Sequence, residues 1–188
     1  MALLVAVLLI GAGSFVWLSG TMPGKPAIGG PFTLEGAHGQ AVSSAAFRGK
    51  YMLIYFGYTY CPDVCPTTLT AVAAALDKMG AKGAALVPIF ITVDPARDTP
   101  AVMQRYAAAF SPRIVGLTGS AAQIAAVEKE YRVYAAKHKT GPGPNDYLMD
   151  HSSLLYLMGP DGKFLAPVRA DESGAEMARD LESLMHTG

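Results

Sequence analysis

Two cysteines and one histidine are the residues of this chain best suited to chemistry. Cys61 and Cys65 are its only cysteines, and three residues separate them. Proline lacks an amide donor and is excluded from a helix interior, so a helix is expected to begin at Pro66 with Cys65 as its N-cap. Both sulfurs would then lie at the positive end of a helix dipole. That position favours the thiolate, which is the form that binds metals and attacks disulfides.

The cysteine pair alone leaves a stabilising disulfide, a redox pair and a metal site open. A disulfide that closes so short a loop removes little entropy from the unfolded chain, which disfavours a purely structural bridge. His151 favours a metal site, because it directly precedes a predicted strand and is expected at the edge of the sheet. Two thiolates and one imidazole form a soft ligand set that suits Cu(I), or Cu(II) with an added ligand. Structural zinc usually takes four protein ligands and is the second candidate metal.

The elements that must position these residues alternate between strand-like and helix-like patterns. The continuous apolar run 51–56 is typical of a strand covered on both faces, and a helical apolar face follows it before Gly80. The run 86–93 predicts a second strand, and Pro88 favours an edge position or a bulge for it because proline cannot donate to the ladder.

Capping signals predict three later helices. In each case a side chain at the N-cap can accept a hydrogen bond from a free amide of the first turn, and the residues that follow have helical periodicity. The signals are Thr99 with Pro100, Ser120 with Gln123, and Ser173 with Glu176.

A hairpin is predicted near the C-terminus, where segments 153–158 and 163–168 flank a Gly-Pro-Asp-Gly turn. Strands that alternate with helices predict a parallel sheet, to which the hairpin adds an antiparallel strand. The sequence therefore predicts a mixed α/β fold. In such sheets ligands gather at the carboxyl ends of the central strands, and the cysteine loop follows one of them.

The N-terminal region has a different composition from the rest of the chain. Residues 2–18 carry no charged side chain and approach the length of a bilayer-spanning helix. Because the run is longer than a signal-peptide core and lacks a basic segment before it, residues 1–20 are expected to be an uncleaved transmembrane anchor. Residues 21–31 are rich in Gly and Pro and are typical of a linker. One globular domain is expected over residues 32–188.

The charge balance disfavours one class of partner. The chain has 15 Lys and Arg residues against 15 Asp and Glu residues. No net electrostatic field would therefore draw it to nucleic acid, and no nucleic-acid partner is expected.

Three motifs, in this order, make the chain resemble the SCO/SenC family of copper proteins that assist cytochrome c oxidase assembly. They are residues 61–66 (CPDVCP), 94–100 (DPARDTP) and 150–152 (DHS). The resemblance implies a thioredoxin-like fold in which Cys61, Cys65 and His151 are the copper ligands. It also implies a domain that faces the bacterial periplasm or the mitochondrial intermembrane space. Because the chain is rich in Ala and Gly and its N-terminus lacks the composition of a transit peptide, a single-pass protein of the bacterial inner membrane with its domain in the periplasm is expected. The alternative is the mitochondrial inner membrane, with the domain facing the intermembrane space.

The resemblance further implies a role in maturing the copper A centre of cytochrome c oxidase subunit II. The protein would deliver copper, or Cys61 and Cys65 would act as a redox-active pair that reduces the cysteines receiving it. Another periplasmic copper chaperone or a thiol reductant would be a further partner. Within the second motif, Arg97 and Asp98 are expected at the rim of the site and not as ligands.

Other functions stay open at this point. A thiol-disulfide oxidoreductase without a metal usually has two residues between its cysteines and a cis-proline opposite them; here there are three, and His151 is expected at the proline position. A thiol peroxidase shares the fold class, but nothing in the sequence specifically supplies its activating arginine. A non-catalytic membrane tether would leave the cysteine loop unexplained.

Overall fold

A computed structural model describes residues 27–187. The chain forms nine strands among these residues: β1 (Thr33–Glu35), β2 (Ala41–Ser43), β3 (Tyr51–Gly57), β4 (Leu86–Thr92), β5 (Val115–Leu117), β6 (Ala135–Lys139), β7 (Tyr147–His151), β8 (Leu154–Met158) and β9 (Phe164–Arg169). The α-helices are α1 (Val64–Met79), α2 (Pro100–Phe110), α3 (Ala121–Tyr131) and α4 (Gly174–Thr187), and 3₁₀ turns occupy Ser44–Phe47 and Gly80–Ala85.

The central element is a five-stranded sheet in the order β5-β4-β3-β8-β9. β3, β4 and β5 are parallel, whereas β8 runs antiparallel to both β3 and β9. The helices flank this sheet, and α1 packs against α4. The predicted mixed α/β fold with a C-terminal hairpin is therefore confirmed.

β3 forms the middle of the core, because it has a strand on each side and helices over the sheet. Ile54 and Phe56 are fully buried in it. Tyr131 of α3 and Tyr156 of β8 pack edge to face with each other, and both rings contact Phe56. The run of apolar residues that predicts this strand reflects burial on both of its faces.

The prediction that Pro88 marks an edge strand is wrong for β4 as a whole, since β4 lies between β3 and β5. The physical reason is the shortness of β5, whose pairing with β4 begins only at Ile89. Pro88 therefore lies in a part of the strand that has a partner on one side, where a missing amide donor costs no ladder bond.

The predicted start of α1 is also wrong. The helix begins at Val64 with Asp63 as its N-cap, so Cys65 lies inside the first turn. Pro66 is tolerated there because the first amides of a helix have no intrahelical acceptor, so proline loses no bond.

The three predicted caps are confirmed. Thr99 accepts from Val102 N–H with Pro100 following it, and Ser120 and Gln123 form a reciprocal capping box. Ser173 and Glu176 exchange the same pair of bonds at the start of α4.

Two small hairpins were not predicted. β1 pairs with β2, and β6 pairs with β7, each as a two-stranded antiparallel sheet outside the central one. The second hairpin is the more important for function because His151 is its last residue.

The predicted anchor over residues 1–20 lies outside the described residues. Within residues 27–187, no helix combines the length and hydropathy that a bilayer span needs. The end of the predicted linker contacts the domain, where Gly29 N–H donates to the carbonyl of Glu130 over 2.8 Å.

Candidate metal centre

The site lies at one end of the central sheet. Parallel β3 and β4 end there, and antiparallel β8 begins there. The loop after β3 carries Cys61, the turn after β4 holds residues 94–99, and β7 delivers His151 from the adjacent hairpin. This is the carboxyl end of the strands, where the sequence predicted the ligand site.

Cys65 is fully buried in the first turn of α1. Its sulfur fits against Gly57, the last residue of β3, where a Cβ atom would lie 2.7 Å from Sγ and 2.7 Å from the Phe90 ring. The hydroxyl of Tyr55 donates a hydrogen bond to the same sulfur over 3.7 Å. Cys65 is thus enclosed by the core and is held there by packing from both strand and helix.

Cys61 lies in the turn before the helix and is half-buried. Its Sγ accepts a hydrogen bond from Cys65 N–H over 3.4 Å. The thiol of Cys65 lowers the pKa of Cys61 by hydrogen bonding to its sulfur. The same bond, together with burial, raises the pKa of Cys65. The two shifts have the same consequence: they favour the thiolate on Cys61 and the proton on Cys65.

The cysteine loop is anchored by Asp98, which is fully buried. Its carboxylate accepts from Thr59 N–H over 3.1 Å, from Thr59 Oγ1 over 2.5 Å and from Thr92 Oγ1 over 2.7 Å. Burial raises the pKa of Asp98. Because Thr59 is two residues before Cys61, these bonds fix the loop that carries the exposed sulfur.

His151 faces Cys65 directly. Its Nε2 lies 3.6 Å from Cys65 Sγ, and its Nδ1 lies 3.0 Å from the carbonyl oxygen of Ser152. A ring nitrogen that bonds a carbonyl must carry the proton, so we assign the tautomer with hydrogen on Nδ1. Nε2 then has a lone pair available on the side of the sulfurs. The rings of Tyr55 and Tyr58 pack edge-on to the imidazole, with centroids 6.2 and 5.8 Å away.

The three donor atoms of Cys61, Cys65 and His151 all lie within 4.8 Å of one another. Cys61 and His151 line a cavity of about 250 Å³, together with Tyr58 and Leu148. The other three histidines of the chain, His38, His138 and His186, are exposed. The structure therefore brings the three sequence-predicted site residues together into one set of donors that could hold a metal ion.

Sequence reasoning placed Arg97 and Asp98 only loosely, at the rim of the site. In the structure Asp98 is the anchor of the cysteine loop, and Arg97 packs against the histidine hairpin with its side chain only 8% exposed. Tyr147, which the sequence analysis did not single out, bonds to Asp94 through its hydroxyl. These contacts join residues about fifty positions apart, and no local pattern reports them.

The donor set defines the chemistry of the site. Two sulfurs and an imidazole nitrogen are soft to intermediate donors, and they favour copper over hard cations such as magnesium and calcium. Only three protein donors converge among the described residues. Structural zinc sites usually have four, so copper fits this site better than zinc.

Comparison with known proteins shows which family the chain resembles. The SCO1/SenC family model matches residues 20–186. The Sco1 protein of Schizosaccharomyces pombe is 45% identical over 162 residues, which cover 85% of this chain and 62% of that protein. The SCO2-like protein RP587 of Rickettsia prowazekii is 36% identical over 188 residues, covering 93% of this chain and 92% of that protein.

A solved structure, Bradyrhizobium japonicum ScoI with copper bound, is similar with a TM-score of 0.77 and 48% identity, covering 84% of this chain and 99% of that one. This chain spans only part of several eukaryotic relatives, for example 48% of the mitochondrial SCO1 protein of Saccharomyces cerevisiae. The family match covers nearly all of the described residues and includes all three donors. The chain belongs to the SCO1/SenC family.

Proposed function

We propose that this protein binds one copper ion through Cys61, Cys65 and His151 and serves the assembly of cytochrome c oxidase. The observation that carries the proposal is the convergence of the three donor atoms within 4.8 Å. The copper-bound structure of the B. japonicum relative supports it, since that protein has the same fold and 48% identity.

The residues of the site are already arranged for metal binding. Hydrogen bonding from Cys65 lowers the pKa of Cys61, which favours its thiolate, and Nε2 of His151 faces the sulfur of Cys65. The metal binds the sulfurs as thiolates and displaces the thiol proton that the pair retains, so binding becomes tighter as the pH rises. When bound, copper supplies a transferable cargo for a target site. The half-exposed Cys61 is the donor that a partner protein can reach.

The destination of the copper is part of the proposal. We infer that it is the copper A centre of subunit II, which is the target that the family resemblance implies. A bacterial inner-membrane location with the domain in the periplasm accords with the Rickettsia relative, and the mitochondrial intermembrane space is the alternative.

A second candidate function, reduction of a target disulfide, is supported by the asymmetry of the two thiols. The Cys61 thiolate attacks one sulfur of the target disulfide and forms a mixed disulfide, and the other target sulfur leaves as a thiolate. Cys65 then gives up its proton and attacks Cys61 Sγ, which releases the second target thiolate. The target gains two electrons, and Cys61 and Cys65 become a disulfide.

Copper titration of the reduced protein tests the proposal. We expect one copper per chain, and a loss of at least about tenfold in affinity in His151→Ala, in which one of three ligands is missing. His138→Ala is the matched control, because His138 is an exposed histidine of the same hairpin. Oxidation of the cysteines to a disulfide should abolish binding.

Two results would contradict the proposal. One is a reduced wild-type protein that takes up no copper. The other is a His151→Ala protein that binds copper as tightly as wild type while thiol-disulfide exchange stays intact; that result would assign the site to the reductase function.

A further inference from the structure

Arg97 is an almost completely buried charged residue outside the proposed ligand set. Its Nε donates to Asp94 Oδ2 over 2.5 Å, and the two side chains are 8% and 1% exposed. Its Nη1 donates to the carbonyl oxygen of Tyr147 over 3.0 Å and to that of Asn145 over 3.3 Å. The guanidinium therefore joins the β4–α2 turn to the backbone at the start of β7.

The flat face of this guanidinium is covered by aromatic rings. Arg97 Cζ lies 3.7 Å from the centroid of the Tyr147 ring and 4.5 Å from that of Tyr60. Its Nη2 has no hydrogen-bond partner among the described residues. The side chain thus acts through two edges that donate hydrogen bonds and a face that stacks, which are properties of arginine and not of lysine.

Tyr147 closes a ring of contacts with the same turn. Its hydroxyl donates to Asp94 Oδ1 over 2.8 Å, so Asp94 accepts from both Arg97 and Tyr147. Tyr147 is the first residue of β7, and His151 is the last. We call Asp94, Arg97 and Tyr147 the hairpin clamp.

The turn that contains the clamp also anchors the cysteine loop. Asp98, the residue after Arg97, accepts two hydrogen bonds from Thr59, one from its backbone N–H and one from its hydroxyl. One short segment, residues 94–98, therefore holds the loop of Cys61 on one side and the strand of His151 on the other.

We propose that Arg97 is a positioning residue that fixes His151 against the cysteines by clamping the first residue of β7 to the β4–α2 turn. The inference rests on the proposed function, which makes His151 the metal ligand that the clamp positions. β6 and β7 form a two-stranded hairpin outside the central sheet, and such a hairpin has little stability of its own. The burial of Tyr147 and Met149 and the contacts to the turn hold it in place.

The first experiment uses the copper-free protein. In Arg97→Lys the charge beside Asp94 is kept, but the paired donors and the stacking are lost. We expect amide hydrogen exchange in β7 to become about tenfold faster or more. Nuclear Overhauser contacts between the His151 and Tyr58 rings should weaken, because the imidazole no longer has one position.

Arg113→Lys is the matched control. Arg113 also donates to backbone carbonyls, those of Gly83 and Leu86. These carbonyls lie at the start of β4, whereas the hairpin clamp lies beyond the other end of that strand. Arg113→Lys should accelerate amide hydrogen exchange in β7 no more than it accelerates that exchange in β3. If Arg97→Lys behaves like this control, with the His151 contacts intact, the inference is wrong. Should Arg97→Lys fail to fold, Tyr147→Phe decides in the same way, because it removes only the hydroxyl bond to Asp94.

The second experiment uses copper. Wild type and Arg113→Lys should show imidazole nitrogen coupling in the Cu(II) paramagnetic resonance spectrum, and Arg97→Lys should show a weakened or heterogeneous coupling with affinity lowered about tenfold. An unchanged spectrum would overturn the inference. If wild type takes up no copper, the proposed function fails, and the copper-free measurements still decide the role of Arg97.

Discussion

Cys65 and His151 face each other across 3.6 Å, yet very different parts of the molecule carry them. Cys65 is fully buried in a helix that packs on the central sheet, and its sulfur fills the space beside Gly57. His151 ends a two-stranded hairpin whose first strand is largely exposed. One half of the site is built into the core, whereas the other half is attached to it by a few side chains. The geometry of the donors therefore depends on interactions of unequal strength.

Asp98→Ala is expected to have the largest effect, because Asp98 serves the core half. Removal of the carboxylate leaves Thr59 N–H and the hydroxyls of Thr59 and Thr92 without their acceptor. Buried polar groups that lose a partner each cost about 1–3 kcal/mol, so the free energy of unfolding should fall by about 3 kcal/mol. Unfolding in denaturant measures this free energy. Asp98→Asn keeps one acceptor oxygen, so its free energy of unfolding should fall less. An equal fall in both variants would mean that the hydrogen bonds are not the cause.

Native-state hydrogen exchange should show the next largest difference. Amides in the middle of β3 have strands on both sides and should exchange only through global unfolding. Amides of the β6–β7 pair should exchange through local opening at a free energy lower by about 2 kcal/mol or more. Equal protection in both regions would show that the hairpin is as stable as β3, so the two halves of the site would not differ in stability.

Alkylation should separate the two cysteines of the core half. The hydrogen bond from Cys65 lowers the pKa of Cys61, so its thiolate persists as the pH falls. Its rate with iodoacetamide should stay nearly constant from pH 8 to pH 6, while an ordinary thiol slows about tenfold per pH unit below its pKa. Mass spectrometry should find Cys65 unmodified, since it is fully buried. In denatured protein both cysteines should follow the ordinary dependence; the same dependence in folded protein would contradict the shift.

Glu128 should give the smallest effect, in a cavity of about 450 Å³ between α3, the β4–α2 turn and Lys137 of the hairpin. Burial raises the pKa of Glu128 to about 7. The folded state thus binds this proton more tightly than the unfolded state, and stability from this group is lost as the pH rises from about 4.5 to about 7. Glu128→Gln should remove that loss, with a gain under about 1 kcal/mol at pH 8 because the carboxyl is half-exposed. A stability difference that is the same at pH 5 and pH 8 would contradict the assignment.

The core half of the site was largely predictable because its signals are local. The apolar run of β3, the capping side chains at Thr99 and Ser120, and the short spacing of the cysteines all act within a few residues of one another. The error at Pro66 has the same local nature, since proline is acceptable at more than one position of a first turn.

The histidine half was only partly predictable. β6 has two alanines followed by Lys, His and Lys and therefore no apolar face, so its pairing with β7 leaves little trace in the sequence. Pro88 is accepted inside the sheet only because β5 is short, and the hairpin clamp depends on contacts about fifty residues apart. His151 could be identified by its type and its place before β8, whereas the structure was needed to show what holds it.

Gly57 has a consequence for how such a site can evolve. A methyl group at this position would overlap both the sulfur of Cys65 and the ring of Phe90. A lineage that keeps the sulfur donor must therefore retain the glycine. A lineage that abandons the sulfur can accept alanine only if the ring of Phe90 also moves aside. Once filled, the space is not available to a sulfur again without a second substitution. Loss of the sulfur donor and its recovery are therefore unequal mutational steps, because the sulfur can return only after position 57 has reverted to glycine.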